Sequence, residues 1–149
     1  MRACIQRVKY CTLSIDGKIH SQIGKGLLIL LGVREGDTEK EAKLLASKCS
    51  GIRIFRDEND KMNLSVDDVD GEIMSVSQFT LYADTSHGKR PAFIEAAKPD
   101  IAKPLYELFT ASLQTKKPVQ TGVFGGDMKI ELLNDGPVTL ILDTDDYKK

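Results

Sequence analysis

No apolar run in the sequence approaches the roughly 18 residues that a membrane-spanning helix needs. The longest, residues 27–31, has the length of a buried strand. The first residues, Met1-Arg2, lead straight into strand-like sequence without the apolar core and small-residue cleavage site of a secretory signal. A cytoplasmic location and no membrane partner are therefore expected. Histidine occurs twice: His20 on a strand-like segment and His87 in a polar loop, both read as surface residues. Cysteine occurs three times, at Cys4, Cys11 and Cys49. The odd count, the lack of metal-ligand spacing and the distance from either histidine fit small buried thiols, not a disulfide, a metal site or a nucleophile. A Gly-x-Ser-x-Gly elbow and a Walker loop are both missing, and the glycine-rich stretch 122–126 has no Lys-Ser/Thr to complete a phosphate cradle. Neither sign of charge predominates, since 21 Lys and Arg stand against 22 Asp and Glu. This excludes a broad basic face for gripping nucleic acid, though not contact with one end of an RNA.

What is present is the balance of a soluble globular chain, with 41% apolar and 29% charged residues over 149 positions. That length suits one domain with a sizeable core, and no repeat, linker or low-complexity tract divides it. Residues 2–15 are rich in strand formers, and Asp16-Gly17 is a hairpin signal with 19–23 as the return strand. Residues 27–33 are apolar on both faces and predict a central strand. Thr38 with Glu41 forms a capping-box pattern, followed by Ala42, Leu45, Ala46 and Cys49 at helical spacing and Gly51 as a stop. Residues 52–55 and 62–66 predict two strands around a polar turn, and 72–82 a further strand. Residues 101–115 predict a second helix, with Pro104 in its first turn. Strands over 119–124, 128–133 and 138–143 complete an α+β domain covering residues 1–149.

Two segments carry the chemistry. The first, Ser77-Gln78-Phe79-Thr80-Leu81, ends an apolar run. Continued as a strand, it puts Ser77 and Phe79 on one face and Gln78 and Thr80 on the other. One reading is an ordinary sheet edge with Phe79 in the core. The other notes that a buried amide and hydroxyl demand partners, and a ligand can be that partner. Thr80 is the hydroxyl that suits a nucleophile, but Asp84 is the only nearby acid and no histidine is close, which argues against covalent catalysis. Backbone N–H groups around Phe79 and Thr80 could instead steady an oxyanion as water attacks. The second segment, Asn134-Asp135-Gly136-Pro137-Val138-Thr139, reads as a hairpin turn that can bare backbone carbonyls. A cis bond at its proline does not follow from sequence.

With these two motifs the chain resembles the D-aminoacyl-tRNA deacylase family (D-tyrosyl-tRNA deacylase type). The likeness extends through Met1-Arg2-Ala3, Ile5-Gln6-Arg7-Val8, Gly24-Lys25-Gly26-Leu27, Lys61-Met62-Asn63-Leu64-Ser65, Thr121-Gly122, Phe124-Gly125 and Asp127-Met128. The pattern departs at Ala92, Val123 and Gly126, outside both motifs. The resemblance implies a barrel-like arrangement of mixed sheets with two to three helices. It implies hydrolysis of the ester between a D-amino acid and the 3′-terminal adenosine of tRNA, with mischarged glycyl-tRNA accepted and L-aminoacyl-tRNA rejected. Ser77, Gln78, Phe79 and Thr80 would form the catalytic site, with Phe124 and Met128 binding substrate. Gly136 and a cis Pro137 would reach in from the other subunit of a homodimer. No metal and no cofactor are implied. Lys89, Arg90, Lys116 and Lys117 are candidate phosphate contacts. Two rival readings remain: a hydrolase of another small ester or amide, and a nucleic-acid-binding or assembly module that keeps the fold without activity.

Overall fold

A computed structural model describes residues 1–148. Its centre is β1 (Arg2–Ile15), long enough to serve three neighbours. Along one edge it pairs antiparallel with β2 (Lys18–Ile23) and, further on, with β3 (Gly26–Gly32). The β1–β2 turn is the expected Asp16-Gly17 pair, with φ of 52° and 77°, the left-handed pair that a two-residue hairpin requires. Beyond β3 come β6 (Glu72–Ser77) and the two-residue β7 (Gln120–Thr121), both parallel to their neighbours. The other edge of β1 carries β8 (Lys129–Asp143), antiparallel over nearly its whole length. Ser21 on β2 donates to the Thr121 carbonyl on β7 at 2.9 Å, drawing the outer strands together into an almost closed barrel. β4 (Phe55–Arg56) and β5 (Met62–Leu64) form a separate small ribbon, shorter than the sequence patterns suggest.

The sheet buries both faces. Leu28, Met74, Val76, Val8, Cys11 and Leu13 fill the barrel interior. Leu27, Ile29, Leu31, Ile73, Ala3 and Ile5 face outward and are covered by α1 (Glu39–Gly51) and α2 (Pro99–Ser112). This explains why β3 reads as continuously apolar. Each fully buried leucine or phenylalanine here, such as Leu45 or Phe109, contributes about 1.5–3 kcal/mol of transfer free energy. The Thr38–Glu41 capping box forms as expected, and α1 stops at Gly51. Among the described residues no helix is long and apolar enough to cross a membrane.

Further elements differ from the sequence expectation, and of the strand expected over 119–124 only Gln120–Thr121 forms. The α2 helix starts at Pro99, whose fixed φ suits a first helical position, so Pro104 falls in the second turn. The helix ends at Ser112 because the following amides are drawn elsewhere: Gln114 N–H to Ser50 Oγ and Lys116 N–H to Asp67 Oδ1. The strand over 72–82 stops at Ser77. Residues 129–143 form one strand interrupted by a bulge, not two strands around a hairpin turn, because both halves find partners on the same long β1. Opposite Arg7, between the pairs Gln6–Thr139 and Val8–Asn134, β8 loops out residues 135–138.

Candidate active site

At the carboxyl ends of the parallel strands β3 and β6 the chain turns away and leaves a cleft of about 530 Å³, within the usual range for a small-molecule site. Ser77, Gln78 and Phe79 form one wall, Phe124 and Met128 another, and Phe93 with residues 96–99 at the start of α2 a third. Five expected site residues are thus brought together. Thr80 does not line the cleft, but its Oγ1 accepts from Gln78 Nε2 at 2.5 Å.

Gln78 causes the change of direction. Its N–H donates to the Leu31 carbonyl at 2.7 Å, the last bond of the β3–β6 ladder, and its φ of −144° and ψ of 85° lead into a single 3-10 turn, Phe79–Tyr82. Strand alternation therefore fails at this point. Phe79 is not in the core: it is 54% exposed and meets Phe93 edge-on, with ring centroids 5.0 Å apart. The first hydrogen bond of the turn runs from Leu81 N–H to the Gln78 carbonyl, so the N–H groups of Phe79 and Thr80 have no acceptor within it. The turn lies tight on β3. A Cβ at Gly32 would stand 3.0 Å from Leu81 Cβ and 3.2 Å from the Gln78 carbonyl oxygen. Arg2 ties its far end, donating from Nη1 to the Leu81 carbonyl at 2.8 Å while stacking 4.7 Å from the Tyr82 ring centre.

Thr80 has no base. Asp84, the only candidate in the sequence, accepts from Ser86 N–H at 2.9 Å, and its hydrogen bonds to Ser86 hold its carboxyl below the usual range. The group on Thr80 is the Gln78 amide, and neither end of an amide takes up a proton at neutral pH. Burial pushes the Cys11 thiol up to about 11 and the Cys49 thiol up to about 12, and raises Cys4 as well, so none of the three is an activated nucleophile.

Gly136 and Pro137 stand apart from the cleft. Their peptide bond is cis, and Gly136 has a φ of 125° that suits glycine alone. They lie in the bulge of β8, whereas the cleft reaches that strand at Ile130. Six residues separate the two points, roughly 20 Å at about 3.3 Å per strand residue. In the single subunit the bulge therefore stands away from the cleft.

The bulge is held from beneath by Arg7, which sequence reasoning places in the motif pattern without giving it a role. Arg7 is 3% exposed. Its Nε donates to the Asp135 carbonyl at 3.1 Å and its Nη1 to the Ile54 carbonyl at 2.6 Å. A Cβ at Gly136 would lie 2.7 Å from Arg7 Nη2. Asn134 closes the base of the bulge, its Nδ2 donating to the Val138 carbonyl at 3.0 Å. A signal for Arg7 did exist, because Ala3, Ile5 and Arg7 share the buried face of an alternating strand, where an arginine needs a dedicated partner. Phe93 and the α2 start carry no such mark.

Known proteins resemble this chain over nearly its whole length. The family model described as D-Tyr-tRNA(Tyr) deacylase matches residues 4–143. A D-aminoacyl-tRNA deacylase of Parabacteroides distasonis is 56% identical over 146 residues, 97% of each chain. One of Fusobacterium nucleatum subsp. nucleatum is 56% identical over 147 residues, 98% of this chain and 97% of its own. Among solved structures, that of a c-Myc DNA Unwinding Element Binding Protein superposes with a TM-score of 0.90 at 36% identity, covering 96% of this chain and 98% of that one. The family model takes in both the strand-end turn and the bulge, the relatives run the full length of the fold that carries them, and the chain therefore belongs to the D-Tyr-tRNA(Tyr) deacylase family.

Proposed function

We propose that this chain hydrolyses the ester joining a D-amino acid to the 3′-terminal adenosine of tRNA, as a cytoplasmic homodimer in which residues 1–149 act as one domain. The observation that carries the reading is that the cleft and the Gly136-Pro137 bulge, which carry the two motifs, lie apart on one subunit. A twofold partner completes each half. The outer edge of β8 supports this, since among the described residues it pairs with β1 alone, and the strand exposes Leu133, Leu140 and Ile141.

In the assembled site, carbonyl oxygens of the partner's bulge accept hydrogen bonds from the substrate ammonium. The N–H of Phe79, in the cleft wall, and that of Thr80, next to it at the rim, donate to the ester carbonyl oxygen. With both groups fixed, one direction remains for the side chain, outward for a D-residue and into protein for an L-residue. Rejection then comes from clash and unpaired polar groups, which discriminate more strongly than a loose side-chain pocket. Glycine has no side chain to reject, so glycyl-tRNA is a substrate too. Water adds to the carbonyl carbon, the resulting oxyanion rests on the two amides, the bond to the ribose 3′-oxygen breaks, and that oxygen takes the proton lost by the water. The ester is already reactive, so orientation and oxyanion donors suffice without a covalent intermediate. Gln78 and Thr80 hold the turn, while Phe79, Phe124 and Met128 wall the adenosine end.

Hydrolysis of D-tyrosyl-tRNA, L-tyrosyl-tRNA and glycyl-tRNA tests the reading. Rapid release from the first and third with the second left intact is expected. Equal hydrolysis of the mirror-image esters, or of glycyl- and L-alanyl-tRNA, overturns it. A second reading, nucleic-acid binding without chemistry, is favoured by the 36% identical structure, whose own name is that of a DNA-binding protein. The same assay separates the two, because a binding module releases no amino acid.

A further inference from the structure

Beneath the bulge lies a second concavity, of about 480 Å³, lined by Arg7, Lys25, Phe55, Arg56, Asp135 and Gly136. We infer that this recess seats backbone phosphates of the single-stranded 3′ end of the tRNA whose ester lies in the partner's cleft. The inference rests on the cross-subunit reading above and adds to it the path of the RNA. Three cations face one carboxylate here, in a chain whose overall charge is −1. The Asp135 carboxylate lies 3.8 Å from Arg7 Nε, so these two offset each other and leave Lys25 and Arg56 as the cations of the recess that a ligand can engage.

Lys25 is one of these. Its backbone is pinned: a Cβ on neighbouring Gly26 would fall onto the Glu72 carbonyl, and the Lys25 carbonyl accepts Glu72 N–H at 3.0 Å. Its ammonium faces the Phe55 ring at 6.0 Å, and among the described residues no carboxylate pairs with it. Arg56 is the other. Its one ion pair, to Asp60 at 2.9 Å, is exposed on both sides, and such a pair is weak and readily exchanged for a phosphate. Lys117 and Lys129 form exposed pairs of the same kind, with Asp70 and Asp127, but neither lines this recess. The recess shares Asp135 and Gly136 with the bulge, so a terminal nucleotide whose aminoacyl ammonium sits on the bulge carbonyls brings its upstream phosphates within reach of Lys25 and Arg56.

The test uses the full-length protein and two esters, D-tyrosyl-tRNA and the 3′-ester of D-tyrosine with adenosine, which lacks the upstream phosphates. For K25Q/R56Q the ratio of kcat/KM on tRNA to that on the adenosine ester should fall about tenfold. The slope of log kcat/KM against log salt on tRNA should become shallower by about 1.4, since each single-strand phosphate contact carries about 0.7. K25R/R56K should restore both. A ratio and slope equal to wild type, or an equal loss on both esters, overturns the inference. Wild-type protein that cleaves neither ester overturns the deacylase reading itself.

Discussion

At the scale of single residues, the chemistry depends on backbone groups that particular side chains hold in place. Thr80 is exposed, faces an amide and lacks a base. Thr80→Ala should therefore lower kcat/KM on D-tyrosyl-tRNA by about tenfold through a looser turn, within the scale of one lost neutral hydrogen bond. Near-complete loss, with an acyl-enzyme trapped on the wild type by rapid quench, would establish a nucleophile instead. Gly136→Ala forces a Cβ against Arg7 Nη2 and Val138 Cγ2 at a φ of 125°. At a cost of about 1–3 kcal/mol the bulge should shift, and hydrolysis should fall at least a hundredfold while circular dichroism stays native. The Ser-Gln-Phe-Thr motif is legible in the sequence as chemistry, but its geometry is not. Alternation cannot reveal that Gln78 leaves the strand, because a change of backbone direction at one residue leaves no periodic trace. Strand alternation signals that Arg7 needs a partner but not which, since Asp135 and Ile54 come from distant parts of the chain.

At the scale of elements, local chemistry is the most legible. The Thr38–Glu41 box, the Asp16-Gly17 turn and the apolar face of α1 all appear where short-range patterns put them, because each pattern is written within a few neighbouring residues. Thr38→Ala should cost about 1 kcal/mol, the usual value of an N-cap, seen as a lower denaturation midpoint at constant m and with no change in deacylation. The β8 segment reads as two strands, since Asn-Asp-Gly-Pro is good turn sequence. Only the length of β1, which offers partners to both halves, makes it one strand with a bulge. The α2 helix begins at Pro99, two residues before the start that periodicity suggests, although a proline preceded by an extended lysine marks a first helical position.

At the scale of the whole molecule, stability should fall at both ends of the pH range. Hydrogen bonds from Ser65, Lys61 and Ser86 hold Asp68, Asp57 and Asp84 below the ordinary 3.8, Arg34 does the same for Asp145, and Thr38 holds Glu41 below 4.5. Depressed carboxylates stabilise the fold above their unfolded values, and that contribution is lost as pH falls below about 4. The buried Cys11 and Cys49 thiols titrate near 11 and 12 instead of 9.0. Their contribution is complete below 9.0 and is lost as pH rises through 11 to 12. Thermal melts across pH should show both limbs, and a flat profile below pH 4 would contradict the first.

The completion of each cleft by another copy's bulge is tested most directly by mixing two crippled proteins. Q78A/F79A disables the cleft and G136A the bulge, so each homodimer alone should be inactive on D-tyrosyl-tRNA. After dissociation and reassociation in equal amounts, half the dimers are mixed and each contains one intact cleft facing one intact bulge, so about a quarter of wild-type activity should return. If the mixture stays inactive although mixed dimers form, or if G136A alone retains full D-selective hydrolysis, the two halves do not meet across the twofold axis.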